Sequence, residues 1–146
     1  MFSILGDVRA VRVLDLYSGS GALAIEALSR GASDATLVDS SAAAIAAIRR
    51  NLRELGLEAE VRGQSVPSFL ERAQRERRQY DLVFADPPYR LASSLRTYGL
   101  EGLLAPGARV VAESDKRAPI EFETLELVDE RRYGDTLIRI FHGPTR

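Results

Sequence analysis

One short stretch, YDLVFADPPY, combines a predicted strand with residues that could hold an amine. The apolar run Leu82–Ala85 is typical of a strand buried on both faces of a parallel sheet. Pro87 and Pro88 end that strand, because neither has an N–H to offer a neighbouring strand. The Asp86 carboxylate and the Pro87 carbonyl could accept the two hydrogens of an amino group on an aromatic base, and Tyr89 could stack on the base. An ordinary strand end with a rigid turn and a core tyrosine is the alternative, since four residues are weak evidence as a motif.

A glycine-rich turn, Ser18–Gly21, is typical of a loop that brings bare backbone close to a ligand. It follows a predicted strand, Arg12–Tyr17, and opens a helical pattern that stops at Gly31. The free N–H groups of that helix could face a polar ligand. A second predicted strand ends in Asp39, about twenty residues beyond the glycines, where a carboxylate can bind the ribose hydroxyls of a nucleoside. The G-x-G-x-x-A pattern is weak alone, and this spacing strengthens it.

The rest of the chain must place these two groups together, and it alternates strands with helices. The second strand is Ala35–Asp39, and the helix after it is capped by Ser40 or Ser41 and stops at Gly56. The remaining predicted elements are a strand at Glu58–Arg62, helices at Ser68–Arg78 and Leu91–Leu104, a turn at Ala105–Gly107, and strands at Ala108–Glu113, Phe122–Asp129 and Thr136–Phe141. This order predicts an α/β fold with a doubly wound, mainly parallel sheet that carries one antiparallel strand.

Composition excludes several kinds of chemistry. The 146 residues contain no cysteine and a single histidine, His142. Disulfides, thiolate catalysis, cysteine-ligated metals, a Ser-His-Asp triad and a multi-histidine metal site are therefore not expected. The length suits a single domain over residues 1–146, and no apolar run is long enough to cross a bilayer. The first residues lack a secretion signal, so the sequence predicts a cytoplasmic location, with neither a membrane nor a metal as partner.

Longer strings give a resemblance to a known family. VLDLYSGSGALAIEALSRGA, YDLVFADPPY and the late YGDT resemble class I S-adenosylmethionine-dependent methyltransferases. Within that class they are most similar to the RsmD family, bacterial enzymes that methylate N2 of a guanine in small-subunit (16S) ribosomal RNA. The resemblance implies a three-layer α/β/α Rossmann-like sheet of seven strands, with the seventh inserted antiparallel. It also implies S-adenosyl-L-methionine as cofactor and ribosomal RNA or an assembling small ribosomal subunit as partner, and we expect a monomer.

The resemblance also implies two sets of site residues. The residues expected to hold the target base are Asp86, Pro87, Pro88 and Tyr89. The residues expected to bind the cofactor are Asp15, Tyr17, Ser18, Gly19, Ser20, Gly21, Asp39, Ser40, Ser65, Val66 and Asp86. In this assignment Asp15 and the backbone of the turn face the methionine part, and Asp39 binds the ribose. The family usually has an acidic residue near Ser65, so here a serine hydroxyl or the backbone would hold the adenine amine.

Three other functions share parts of these patterns. A nicotinamide-dependent oxidoreductase uses the same glycine turn, but dehydrogenases usually place an apolar residue where Asp15 stands. DNA adenine-N6 methylation would use DPPY equally well, although the chain shows no target-recognition domain. A non-catalytic module of the same fold is the third, because family members begin further upstream, with a basic segment that engages RNA, whereas this chain opens on FSIL. We therefore expect strong binding of the cofactor and weak binding of RNA.

Overall fold

The sheet has seven strands, and helices lie on both of its faces. The structure is a computed structural model, and it describes residues 2–88 and 99–145. In chain order the elements are α1 (Phe2–Leu5), β1 (Arg12–Leu16), α2 (Ala22–Ser29), β2 (Asp34–Asp39), α3 (Ala42–Leu55), β3 (Glu60–Gly63), α4 (Val66–Arg75), β4 (Tyr80–Ala85), a 3-10 helix (Leu100–Leu103), β5 (Leu104–Asp115), β6 (Glu126–Tyr133) and β7 (Thr136–His142).

The strand order creates a switch point beside β1. The order is β3-β2-β1-β4-β5-β7-β6, with the first five strands parallel and β7 antiparallel to both of its neighbours. From β1 the chain builds toward β2 and β3, and then returns to add β4 on the other side. Ligands of open α/β sheets bind outside the carboxyl ends of the strands at such a reversal. The fold class predicted from the sequence is confirmed.

The central strands are apolar because helices cover both faces of the sheet. Leu14 and Val83 pack against α4 on one face, whereas Val13 and Leu82 pack against α2 and α3 on the other. All four side chains are fully buried. A strand covered on both sides loses the alternation of apolar and polar residues, which explains the unbroken apolar runs in the sequence. The two layers hold the sheet rigid beneath its carboxyl edge.

The segment after β4 differs from the prediction. Most of the predicted helix Leu91–Leu104 falls on residues 89–98, outside the described residues, and its described end is the 3-10 helix followed by the start of β5. The predicted turn Ala105–Gly107 is wrong, because these residues belong to β5. An irregular register between Tyr80 and Leu82 accommodates them, and the Gly107 N–H donates to the Pro144 carbonyl at 2.8 Å.

The predicted bounds of the sixth strand are also wrong. β6 begins at Glu126 and continues through Tyr133, so it includes charged residues that the sequence assigned to a loop. It is an edge strand whose side chains are nearly all exposed, and such a strand has no alternating pattern to detect. The predicted tight reversal is confirmed, since only Gly134 and Asp135 separate β6 from β7.

Candidate active site

Asp15 is a buried carboxyl group in the carboxyl half of β1, with 3% of its surface exposed. Its Oδ2 accepts the Ala24 N–H of α2 at 3.3 Å. Burial raises the pKa of Asp15 to about 7, the nearby Ser18 hydroxyl and the hydrogen bond from the Ala24 N–H lower it, and the charges of Asp86 and Asp39 raise it. Among the described residues it has no cationic partner. A buried carboxyl group that titrates near neutral pH is typical of a functional site.

The turn after β1 begins with backbone strain. Tyr17 has φ of 59°, in the left-handed region that a bulky residue seldom adopts. The Ser18 N–H donates to the Val38 carbonyl at 3.1 Å, and the Gly21 N–H donates to the Ser18 carbonyl at 2.9 Å. These bonds hold the strained residue in place, and strain held by its surroundings is frequent at ligand sites.

The two glycines of the turn serve different purposes. Gly21 has φ of 81°, and a Cβ there would stand 2.8 Å from the Leu37 side chain, so helix packing requires glycine. Gly19 has φ of 62°, and a Cβ there would meet no atom within 4 Å. A ligand can therefore approach the backbone at Gly19. Within the turn, the N–H groups of Ser18, Gly19 and Gly21 are bonded to other atoms of the protein.

Asp39 ties the turn to the end of β2. Its Oδ2 accepts the Gly19 N–H and its Oδ1 accepts the Ser41 N–H, both at 2.9 Å. Each carboxylate oxygen keeps a further lone pair that could accept a ribose hydroxyl. Ser40, between Asp39 and Ser41, is exposed. The cap of α3 is Ser41, whose hydroxyl accepts the Ala44 N–H at 3.2 Å. Asp39 is thus both a structural anchor and a possible ligand contact.

Ser65 and Val66, the residues expected beside the adenine, also have structural roles. The Ser65 hydroxyl accepts the Ser68 N–H at 3.2 Å and caps α4, which begins earlier than the sequence suggested. The Val66 side chain is buried in the core, with 4% of its surface exposed, so only its backbone could contact a ligand. The Ser65 oxygen has one lone pair left for an amine.

Asp86 follows β4 and lies beside a residue that sequence reasoning missed. Ala85 pairs with Ala112 in the parallel register of β4 and β5, so Asp86, which follows β4, stands beside Glu113 of β5. Their carboxyl groups are close enough to share a hydrogen bond. Partial burial, the charge of Glu113 and this hydrogen bond raise the pKa of Asp86 to about 6, although the side chain stays partly accessible to solvent.

The remaining residues of the DPPY motif are less fully described. Pro87 is buried and Pro88 is exposed. Tyr89 lies outside the described residues, so its expected stacking on a base stays a prediction. No helix in residues 2–88 and 99–145 is long and apolar enough to span a bilayer, and no set of three or more His, Cys, Asp or Glu side chains there is placed to hold a metal ion.

Two cavities meet at the pair formed by Asp86 and Glu113. A cavity of about 70 Å³ is lined by Asp15, Tyr17 and Ser18 as well as by this pair. A cavity of about 220 Å³ opens on the other side of the pair and is also lined by Pro87 and Asp115. Five of the predicted site residues therefore line these cavities at the carboxyl edge of the sheet, namely Asp15, Tyr17, Ser18, Asp86 and Pro87.

Comparison with known proteins agrees with this geometry. A family model described as "Conserved hypothetical protein 95" matches residues 1–142. The chain belongs to this family. A relative from Haemophilus influenzae, named "Ribosomal RNA small subunit methyltransferase D", is 32% identical over 137 residues, which are 89% of this chain and 70% of the relative. A relative of the same name from Escherichia coli is 37% identical over 106 residues, 70% of this chain and 52% of that protein.

A solved structure is similar along nearly the whole chain. A conserved hypothetical protein from Streptococcus pyogenes superimposes with a TM-score of 0.83 at 35% identity, covering 97% of this chain and 92% of that one. The names of the curated relatives identify the family as the RsmD methyltransferases, so the resemblance found in the sequence is confirmed.

Proposed function

We propose that the protein is an S-adenosylmethionine-dependent methyltransferase that acts on the exocyclic N2 amine of a guanine in small-subunit ribosomal RNA. Relatives at 32% and 37% identity carry the name ribosomal RNA small subunit methyltransferase D. The choice of guanine N2 rests on the resemblance found in the sequence and on the acceptors described below. Its setting would be the cytoplasm, as one monomeric domain acting on RNA or on an assembling subunit.

The observation that carries the proposal is the meeting of three acidic strand ends at one edge of the sheet. Asp15, Asp39 and Asp86 belong to or follow β1, β2 and β4, which are adjacent in the order β2-β1-β4. The same edge carries the Asp39 carboxylate, the open backbone at Gly19 to which it is bonded, and the small cavity lined by Asp15 and Asp86. A nucleoside with a cationic tail would find acceptors for its hydroxyls at one end and negative charge at the other.

The residues of this edge fit S-adenosylmethionine. Asp15 lines the small cavity without a cationic partner among the described residues, and a nearby positive charge would favour its ionised form. The sulfonium of S-adenosylmethionine carries such a charge, and the bound cofactor would supply an activated methyl group. Asp39 would hold the ribose, and the backbone of Val66 with the Ser65 hydroxyl would face the adenine.

The protein would contribute alignment of the amine and exclusion of water. The Asp86 carboxylate and the Pro87 carbonyl would accept the two amine hydrogens, which turns the nitrogen lone pair toward the methyl group. Asp86, with a pKa of about 6, could then accept the proton that the amine loses. A base stacked in folded RNA would have to be turned out of its helix to reach this place, at a cost of about a few kcal/mol.

Methyl transfer to small ribosomal subunits tests the proposal. Subunits from a strain that lacks its own enzyme of this family would be incubated with isotopically labelled S-adenosylmethionine and the protein, and the RNA nucleosides identified by mass spectrometry. We expect labelled N2-methylguanosine at one position. Asp86→Ala should abolish the label, whereas Asp129→Ala, on the exposed edge strand, is the matched control and should leave it unchanged.

Other results would favour the alternatives. Label in N6-methyladenosine, from DNA offered in parallel, would point to the adenine methyltransferase. Calorimetry that detects binding of S-adenosylhomocysteine without transfer to any nucleic acid would support a non-catalytic module. Binding of a nicotinamide dinucleotide in place of either would contradict the proposal altogether.

A further inference from the structure

Glu113 occupies the junction between the two cavities of the active edge. It lies in β5 immediately after Ala112, the register partner of Ala85, and it is half-buried. It lines the small cavity together with Asp15, and it lines the larger cavity together with Pro87. Any base whose amine is held between Asp86 and Pro87 would therefore place its pairing edge close to Glu113.

Glu113 differs from the other acids around the larger cavity because it lacks a cation. Asp115 is bonded to Arg117 at 2.8 Å, and Asp135 forms an ion pair with Lys116 at 3.1 Å. Within residues 2–88 and 99–145 no arginine or lysine forms an ion pair with Glu113. The carboxyl group of Asp86 lies within hydrogen-bonding reach of it. The oxygens of Glu113 that this contact leaves unused can accept hydrogen bonds from a base in the cavities that it lines.

Guanine and adenine present different groups beside their amines. On guanine, the N2 amine lies next to N1–H, so the edge offers donors at adjacent positions. On adenine, the N6 amine lies next to an N1 lone pair, which a carboxylate would repel. A second acceptor beside the one that holds the amine therefore distinguishes the two bases, because a hydrogen-bonding site rejects an analogue that lacks the matching hydrogen.

We propose that Glu113 is the residue that selects guanine, by accepting the N1–H of the target base while Asp86 and Pro87 hold its N2 amine. This inference rests on the proposed function and gives it a specificity determinant. It assigns the adjacent carboxyl groups separate tasks: Asp86 contacts the reacting amine, and Glu113 contacts the neighbouring ring nitrogen.

The test uses 2-aminopurine, which keeps the amine of guanine at position 2 but has no hydrogen on N1. Small-subunit RNA would be rebuilt by ligation with guanine or 2-aminopurine at the position that mass spectrometry identifies, assembled into particles and offered to three proteins. These are the natural protein, Glu113→Gln and the matched control Asp115→Asn, whose carboxylate lines the same cavity but is paired with Arg117. Calorimetry with S-adenosylhomocysteine checks that each protein is folded and binds cofactor.

We expect the natural protein to methylate guanine about 10- to 100-fold more efficiently than 2-aminopurine. In Glu113→Gln the ratio should fall to within about threefold, because an amide can donate to the bare N1 or accept from N1–H. Asp115→Asn should keep the ratio of the natural protein. Glu113→Asp, which retains a shorter carboxylate, should keep a preference for guanine even if its rates are lower.

Several outcomes would overturn the inference. Equal rates of the natural protein on the two bases would do so without any variant. A Glu113→Gln protein that is slower on both bases but keeps the full preference would show that Glu113 does not contact N1. If the natural protein binds S-adenosylhomocysteine but methylates neither base in these particles, the proposed function fails, and the inference fails with it.

Discussion

The parallel strands begin at one edge of the sheet, the amino edge, and finish at the other, the carboxyl edge. The acidic side chains at these two edges differ in their pKa values. At the amino edge, Glu60 is bonded to Arg78 and Arg62, each at 2.6 Å, and these bonds lower its pKa to about 2. At the carboxyl edge, burial raises the pKa of Asp15 to about 7, and burial together with Glu113 raises that of Asp86 to about 6. Arginines neutralise Glu60 at the amino edge, whereas Asp15 and Asp86 at the carboxyl edge form no ion pair with a cation among the described residues.

Cavity size alone would point to the opposite edge from the one that carries the proposed site. A cavity of about 700 Å³ lies at the amino edge, lined by residues that begin the strands, among them Arg12, Asp34 and Tyr80. Its acid Glu60 is neutralised by arginine, and Asp81 nearby on β4 is bonded to Arg12 at 2.9 Å. The cavities at the carboxyl edge are smaller, but the one of about 70 Å³ is lined by Asp15, Asp86 and Glu113, which form no ion pair among the described residues. Perturbed carboxyl groups in a small cavity are therefore the better guide to the site.

The largest expected effect concerns Asp86. Asp86→Ala removes an acceptor of the amine, and we expect methyl transfer to fall at least about 100-fold while S-adenosylhomocysteine binding changes little. Asp86→Asn should keep measurable transfer, because its amide oxygen still accepts one hydrogen. Single-turnover kinetics would measure this. If the Asn and Ala variants are equally inactive and both bind cofactor, the carboxylate is needed as a base.

Substitution of Asp39 should lower the affinity for the cofactor rather than the rate of the methyl-transfer step. Asp39→Ala would remove the charge-assisted hydrogen bonds that we propose to the ribose, and it also releases the Gly19 N–H that Asp39 accepts. We expect affinity for S-adenosylhomocysteine to fall about ten- to hundredfold. Calorimetry would measure it against Asp34→Ala, at the other end of β2. An unchanged affinity in Asp39→Ala would show that the ribose lies elsewhere.

Substitutions at the amino edge should lower the free energy of unfolding without changing the affinity for the cofactor. Arg78 bonds both carboxylate oxygens of Glu60 and also contacts Glu76. Arg78→Ala leaves the partly buried Glu60 with Arg62 as its cationic partner and the Thr36 hydroxyl as a donor, and we expect a loss of about 1–3 kcal/mol in the free energy of unfolding. Denaturant titration would measure the loss, with cofactor affinity as the second readout. If the variant keeps its full stability but binds cofactor poorly, the claim that the amino edge serves stability and not cofactor binding would be contradicted.

The edges should also differ in how stability depends on pH. The pKa of Glu60 is lower in the folded protein, so its contribution is present above about 4.5, its unfolded value, and is lost as pH falls toward 2. The pKa of Asp15 is raised, so the folded protein binds the extra proton and stability declines between pH 3.8 and about 7. Asp15→Asn should therefore be about 1–2 kcal/mol more stable than the natural protein at pH 8, with the difference vanishing below about pH 4. Denaturation at several pH values decides this, and an equal difference at all pH values would contradict it.

Sequence reasoning found the features that depend on local pattern. The strands β1, β2 and β4 are apolar runs bounded by Gly, Ser or Pro, and their closing acids stand at fixed places in the sequence. Once the sheet is parallel, these acids must meet at one edge. β6 was misplaced because both of its faces are largely exposed, which leaves no periodic signal.

Sequence reasoning missed features that depend on strand order, and it missed a side chain that has a structural partner as well as a possible ligand. Glu113 ends the run ARVVAE just as Asp86 ends the run in β4, but its importance follows only from β5 lying beside β4 in a register that pairs Ala85 with Ala112. Ser65 was assigned to adenine, yet its hydroxyl also serves the nearest helix N-terminus. An acid at the end of the strand after DPPY is a signal that could have found Glu113.

The most direct test of the contrast between the edges is a titration of the carboxyl groups by carbon-13 NMR. Spectra of the natural protein would be followed from low to neutral pH, with Asp15, Asp86 and Glu60 assigned from Asn and Gln variants. The account expects Asp15 to titrate near 7 and Asp86 near 6, while Glu60 stays ionised down to about 2. Titration of all three groups close to about 4, the ordinary range of carboxyl groups, would contradict it.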